Sequence, residues 1–279
     1  MYYDLLPYLH CPTCGHAPPV LLAGREVAGE VLEGALRCEH CGRVMPIIDG
    51  ILDTIEGAPV PWTPAQLTNY APTAAWGYER LWRRQALSLL SGQRFPLRDE
   101  LRLVHALLAP DRGGLLLDIA CSTGLYARAM AAGSTGSTVA AVDHSWAMLR
   151  EARRYARREG RSISFVRAAA QALPFRAGSA TAYGMGGSLN EIGDVDATLR
   201  EARRVLAADG RFVSMHLLAA SSAWGRRLQQ MLATGGIEFP ERAALNRRCM
   251  AAGLRPAAQW RWRVVEISLL LPVGIHLAL

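Results

Sequence analysis

Two groups of residues in this 279-residue chain have the types and spacing to do chemistry. The first is Leu115-Leu116-Leu117-Asp118-Ile119-Ala120-Cys121-Ser122-Thr123-Gly124, followed after a helix-length gap by Thr138-Val139-Ala140-Ala141-Val142-Asp143. The opening run reads as a buried parallel strand entering a turn of small residues. The later run reads as a second strand closing on one carboxylate. In a doubly wound sheet such a turn lies under a nucleotide, and the acid at the next strand end grips its ribose. Ala120 and Ser122 stand where a dinucleotide fingerprint has glycines, so the turn suits a ligand that brings no pyrophosphate. Gly124 allows a tight entry into a helix, whose free N–H groups can meet a carboxylate. Asp143 can accept from the ribose hydroxyls, or it can cap a helix beginning at His144.

The second group is Cys11-Pro12-Thr13-Cys14 and Cys38-Glu39-His40-Cys41. Each C-x-x-C knuckle offers two sulfurs to one metal, and two knuckles complete a tetrahedral thiolate shell for zinc. His16 and His40 are near enough to compete, but a four-cysteine set needs neither, and they read as solvated loop residues. About fifty residues bury too little apolar area to stand alone, so metal closure has a structural task.

The remaining sequence supplies the elements that must position these groups. Gly57-Ala58-Pro59-Val60-Pro61-Trp62-Thr63-Pro64 cannot be helical and marks a boundary. The expected division is a zinc ribbon over 1–56, a Pro-rich linker and the start of a lid over 57–77, and a catalytic domain over 78–279. Within the last, strands are expected at Leu115–Ile119, Val139–Val142, Ser164–Arg167, Ala180–Tyr183 and Arg211–Leu217. Helical segments are expected between them, including Ser145–Glu159 and Asp196–Leu206, the latter ended by Ala208-Asp209-Gly210. Alternating strands and helices imply an α/β fold with a parallel sheet covered on both faces. The apolar stretch Val264–Leu279 carries Glu266 and Pro272 and reads as a final pair of strands rather than a membrane span.

Composition removes some chemistry. The formal charge of +7 comes from arginine alone, because the chain has no lysine, and Schiff-base mechanisms are excluded. Asp4, Pro7 and His10 interrupt any leader-like apolar region, so a cytoplasmic, reducing environment and no membrane partner are expected.

Further pieces fall in a fixed order: Asp143-His144-Ser145-Trp146-Ala147-Met148-Leu149, Leu173-Pro174-Phe175, and Arg203-Arg204-Val205-Leu206-Ala207-Ala208-Asp209-Gly210. With the turn at Asp118–Gly124, the run from Tyr78 to about Leu218 resembles the class I S-adenosylmethionine-dependent methyltransferases. It is most similar there to ubiquinone/menaquinone-methyltransferase-like proteins (methyltransferase type 11), and the implied fold is a Rossmann-like sheet. The ribbon, with Leu5-Leu6-Pro7-Tyr8-Leu9-His10 before the first knuckle and Met45-Pro46-Ile47-Ile48-Asp49-Gly50-Ile51-Leu52 after the second, resembles the Trm112 type.

The resemblance implies that Asp118, Ala120, Cys121, Ser122, Gly124, Asp143, His144, Met148, Ala170 and Met185 contact S-adenosylmethionine. It also implies a lid before the first strand, where Tyr78, Arg80 and Trp82 would meet the methionine carboxylate and the sulfonium. The family usually has an acidic residue at Ala169 for the adenine amino group. With a methyl there, backbone groups or Gln171 must hold the base. After the fourth strand, Asn190 would orient a substrate and Glu191 take a proton, with His216 as the alternative base. Trp224, Met231, Ile237 and Phe239, in the insert 219–240, would line a pocket for a hydrophobic small molecule such as a secondary metabolite. Two alternatives stand beside this reading. One is an rRNA or tRNA base methyltransferase whose ribbon and arginines meet RNA; the other is a repurposed fold catalysing a non-methylating reaction. Against RNA, the ribbon carries Glu26, Glu30, Glu33 and Glu39 against Arg25, Arg37 and Arg43.

Overall fold

The structure is a computed structural model that describes residues 1–55, 64, 77, 79, 83–134 and 136–274. Most of the expected linker, and Tyr78, Arg80 and Trp82 of the expected lid, lie outside the described residues. After a 3-10 turn at Tyr3–Tyr8 come four strands: β1 (Val20–Val27), β2 (Glu30–Arg37), β3 (Val44–Ile48) and β4 (Ile51–Asp53). Helices α1 (Arg84–Ser91) and α2 (Leu97–Leu108) lead into β5 (Gly114–Ile119), α3 (Leu125–Gly133), β6 (Ser137–Asp143), α4 (Trp146–Arg158) and β7 (Ser164–Arg167). Then follow β8 (Ala180–Gly186), α5 (Val195–Val205), β9 (Leu206–Leu217), α6 (Ala223–Ala233), α7 (Arg242–Ala251), β10 (Leu254–Trp262) and β11 (Val265–Pro272).

The strands form one 11-stranded sheet in the order β1-β2-β3-β4-β7-β6-β5-β8-β9-β11-β10. Strands β7, β6, β5, β8 and β9 are parallel, and β11 runs antiparallel to β9. The order reverses at β5, which opens a crevice at the carboxyl ends of β5 and β8. Strand β5 is apolar and buried along nearly its whole length, as a parallel strand covered on both faces must be. Helices α1 to α4 pack one face through Leu87, Val104, Leu108, Met130, Leu149 and Ala152. Helices α5 and α7 pack the other through Leu199, Ala202 and Leu245.

The ribbon departs from the expected separate domain. Strand β4 pairs in parallel with β7, Ile51 against Phe165 and Asp53 against Arg167, so the ribbon extends the main sheet. Its Leu5, Leu9, Leu36, Met45 and Leu52 belong to the same buried cluster as Leu115, Leu117 and Phe175. Each fully buried aliphatic side chain contributes about 1.5–3 kcal/mol, so a shared core supplies what fifty residues cannot bury alone. The buried Glu30 takes Arg153 at 2.9 Å and Arg157 at 3.1 Å from α4. Two of the arginines that gave α4 its basic appearance thus share one carboxylate, which offsets one of their two charges.

Smaller departures follow from packing. The segment Ala208-Asp209-Gly210, expected to end a helix, already belongs to β9, which starts at Leu206 and pairs with Ala180. Helix α6 buries none of its residues, and Trp224 and Met231 are exposed.

Candidate active site and metal centre

The turn after β5 takes the left-handed backbone three times, at Ala120 (φ 51°), Ser122 (φ 50°) and Gly124 (φ 73°). Only the last is glycine. The other two bear a cost of about 1–2 kcal/mol each for a Cβ in that region. Neighbours hold the turn in place: Cys121 N–H donates to the Val142 carbonyl at 2.9 Å, and Gly124 N–H to the Cys121 carbonyl at 2.8 Å. Ser122 N–H donates to one oxygen of Asp143 at 2.8 Å, and Ser145 N–H to the other at 2.9 Å. The Asp143 carboxylate thus bridges the ends of β5 and β6. Each of its oxygens keeps a further lone pair, and the side chain lines the cleft above. It does not cap α4. That role falls to Ser145, whose hydroxyl accepts from Met148 N–H at 3.3 Å.

The cleft encloses about 510 Å³ including its open mouth, and Ala120, Ser122, Asp143, His144, Met148 and Ala170 line it. Opposite Asp143 stand Ser188, Glu191 and Ile192 from the loop after β8. Burial, with the negative charge of Asp143 adding to it, pushes the Glu191 carboxyl up to about 7. Three side chains fix this loop. Ser188 donates to the Ala120 carbonyl at 3.2 Å. Gln171 donates to the Ile192 carbonyl at 2.8 Å. Asn190 donates to the carbonyls of Leu217 and Glu238, at 2.7 and 2.5 Å, and accepts from Leu217 N–H at 2.7 Å.

A second lobe, sharing Ala120 and Ser122, is lined by Arg83, Asp118, Cys121, Thr123, Tyr126 and Gly186. Burial pushes the Asp118 carboxyl up to about 8, against the pull of the Ala127 N–H it accepts at 2.8 Å and of the Arg128 guanidinium. Arg83 pairs with the fully buried Glu100 through both guanidinium arms, and Tyr126 donates to the same carboxylate at 2.6 Å. Glu79 takes Arg128 at 2.7 Å and the Thr123 hydroxyl at 2.8 Å. Sequence reading passed over Glu79 and Arg83 in favour of their aromatic neighbours. They pair with Arg128 and Glu100, 49 and 17 residues away, so no local spacing marked them.

Several expected site residues are placed elsewhere. The Asn190 amide is taken up by backbone partners and borders a different, smaller cavity. The Gln171 amide is turned to Ile192 and not to an adenine position. Ala169 does not line the cleft, although Ala168 and Ala170 do. Met185 is buried in the core, whereas Gly124 sits in the turn as expected and caps α3. His216 is also not in the cleft. It is buried on the α7 side of β9, with Ser214 Oγ 3.2 Å from Nδ1 and Glu266 Oε1 3.3 Å from Nε2. Trp224, Met231, Ile237 and Phe239 line no part of the cleft.

The four cysteines converge at the ribbon tip, with their sulfurs all within 4.8 Å of one another. Cys11 and Cys41 sulfurs are 3.6 Å apart, and Cys14 and Cys38 3.5 Å. Those separations are too long for disulfides and suit thiolates around one tetrahedral ion with bonds of about 2.3 Å. Gly15 N–H donates to Cys11 O at 2.8 Å and Gly42 N–H to Cys38 O at 2.9 Å, so both knuckles form the same turn. His16 and His40 stack on each other, ring centres 5.7 Å apart, outside the sulfur set.

A sheet reversing at β5, an antiparallel β11 beside β9, and a strand-end carboxylate over a small-residue turn are the arrangement of the class I methyltransferase fold. Comparison with known proteins agrees. Residues 117–214 match the methyltransferase domain family and residues 3–50 the Trm112p-like family. An uncharacterized chloroplastic methyltransferase of Arabidopsis thaliana is 27% identical over 200 residues, covering 64% of this chain and 53% of the relative. The chain therefore spans about half the length of that curated relative. Among solved structures, the complex of the Haloferax volcanii Trm112 methyltransferase activator with a methyltransferase matches at TM-score 0.55 and 16% identity, over 71% of this chain and 97% of that one. Geranyl diphosphate C-methyltransferase from Streptomyces coelicolor, bound to S-adenosyl-L-homocysteine, matches at 0.53 and 18%, over 62% and 75%. Among the described residues, no helix is long and apolar enough to cross a membrane.

Proposed function

We propose that this chain transfers a methyl group from S-adenosylmethionine to an oxygen, nitrogen or carbon of a hydrophobic small molecule. The observation that carries it is the pairing, across one cleft, of a backbone-anchored Asp143 with a Glu191 poised near neutrality. When bound, the cofactor supplies an electrophilic methyl that needs no further activation. The chain's own residues do the rest. Asp143 accepts from the ribose hydroxyls through its free lone pairs. The start of α3 would face the carboxylate of the methionyl end with its positive dipole, and Asp118 and Arg83 flank that end. The loop 187–192 holds Glu191 where it can take a proton from an acceptor hydroxyl or amine as the new bond forms. Alignment and exclusion of water supply most of the rate. Against an RNA acceptor, Arg153 and Arg157 are committed to Glu30.

A calorimetric titration with S-adenosylhomocysteine tests the cofactor assignment. Asp143→Ala should weaken binding by about 1.5–3 kcal/mol, the scale of hydrogen bonds to a charged group, or roughly ten- to a hundredfold. An unchanged affinity in that variant, or no binding by the wild type, would overturn the assignment.

The same reading assigns one structural zinc to Cys11, Cys14, Cys38 and Cys41. Elemental analysis should find one zinc per chain. Cys38→Ser should lower both zinc content and thermal stability, because metal binding to such sites is coupled to folding. Full stability without metal would remove that role.

A further inference from the structure

The loop after β7, residues 168–172, supplies Ala168 and Ala170 to the cleft and has alanine where an acid would read adenine. With Gln171 turned to Ile192, backbone groups are left to recognise the base. Backbone recognition gives affinity only where the loop is already held in its binding shape. This loop has alanines at four of its five positions and so few side-chain anchors of its own.

The ribbon holds it at both ends. At the entrance, Thr54 donates its N–H and its hydroxyl to the Arg167 carbonyl, both at 2.9 Å. Asp53 pairs with the Arg167 guanidinium at 3.0 Å, and that guanidinium donates to the carbonyl of His144, a cleft residue, at 2.9 Å. At the exit, His10 N–H donates to the Pro174 carbonyl at 3.0 Å, and its Nε2 lies 3.1 Å from the Leu173 carbonyl. Arg176 N–H donates to the Tyr8 carbonyl at 2.8 Å.

Each clamp adjoins a different cysteine pair. His10 immediately precedes Cys11. Arg43, two residues beyond Cys41, donates to the Thr54 carbonyl at 2.8 Å and reaches back to Thr13, between Cys11 and Cys14, at 2.6 Å. A metal joining the two pairs fixes the spacing of the two clamps, and the clamps fix the loop between them. From this juxtaposition we infer that the ribbon is part of the nucleoside site. Asp53 and Arg167 are positioning residues for its base end, and metal binding at the four cysteines is coupled to ligand binding in the cleft. The inference rests on the cofactor and zinc assignments above and adds to them a route of communication.

Coupling of this kind is reciprocal, and its typical size is about 5–150-fold in affinity. The test uses the full chain loaded with zinc, S-adenosylhomocysteine as probe, and a chromophoric chelator to read zinc affinity. Asp53→Ala should bind the probe at least about fivefold more weakly while retaining its zinc. Arg25→Gln, at an exposed ribbon pair with Glu33, should bind as the wild type does. In the wild type the probe should tighten zinc binding severalfold, and in Asp53→Ala this tightening should shrink. A merely structural role for Asp53 would leave that tightening unchanged. Should the metal-free chain unfold, the zinc-loaded Asp53→Ala titration and the chelator measurement still decide. Equal probe affinity in wild type and Asp53→Ala, with zinc affinity indifferent to the probe, overturns the coupling alone. A wild type that does not bind the probe overturns the cofactor reading, and the coupling with it.

Discussion

Replacing Glu191 with glutamine is expected to slow methyl transfer by about 100–10,000-fold, the usual worth of a general base, while leaving affinity for S-adenosylhomocysteine nearly intact. The side chain faces the cleft, and the loop that carries it is fixed at Ser188, Asn190 and Ile192. Its carboxyl is raised to about 7, mainly by burial, so the wild-type rate should climb with pH to about 7 and then level off. The variant depends on the acceptor's own ionisation, and its rate should continue to climb. The deficit should therefore be largest and constant below pH 7 and narrow above it. Stability gives an independent check of sign. A carboxyl raised on folding contributes stability that is present below its ordinary value and lost as pH rises through about 7. Glu191→Gln should remove that loss, so its unfolding midpoint should gain on the wild type at pH 8 relative to pH 5. Full activity at pH 6.5 would exclude Glu191 as the base and leave alignment as the source of the rate.

Glu100→Ala should cost about 3–5 kcal/mol of folding stability, the usual penalty for breaking a buried ion pair. Glu100 is fully buried, takes both arms of Arg83, and accepts from Tyr126 at 2.6 Å. Removing it takes this carboxylate from a buried guanidinium and leaves a phenol hydroxyl without its acceptor. Chemical denaturation should show the loss as a lower midpoint. At about 2–4 °C per kcal/mol for a chain of this size, the melting temperature should fall by several degrees or more. Because Arg83 and Tyr126 also line the second lobe, affinity for S-adenosylhomocysteine should weaken in the same variant. A stability loss below about 1 kcal/mol would show that desolvation of the pair offsets nearly all of its attraction.

The sequence by itself determined those features that depend on short stretches of chain. Periodicity located β5, β6, β7 and α4 to within a few residues, since burial on both faces demands continuous apolar runs, whereas the closing pair expected within Val264–Leu279 lies earlier, at Leu254–Trp262 and Val265–Pro272. The turn at Ala120–Gly124, Asp143 at the next strand end and the two cysteine pairs were legible as well, because each is a local spacing with one chemical use. Glu191 was legible as a cleft acid, though its shifted titration was not, since that depends on what buries it.

What only the tertiary structure decided concerns partners far apart in the chain. Asn190 and Gln171 could be read equally well as ligand contacts. Their amides instead meet carbonyls at Leu217, Glu238 and Ile192, and no local rule says which acceptor a buried amide will find. His216 stands at a strand end, as a cleft residue would, but strand alternation puts it opposite Met215, on the face covered by α7. The proline-rich boundary after residue 56 suggested a small zinc ribbon beside a catalytic domain. The backbone nevertheless joins β4 to β7, and Asp53 meets Arg167, 114 residues later. An edge strand exposes unpaired N–H and C=O groups whose cost falls when another strand covers them. The ribbon and the methyltransferase sheet each had such an edge, and pairing them made one sheet and one core from what the sequence presents as two modules.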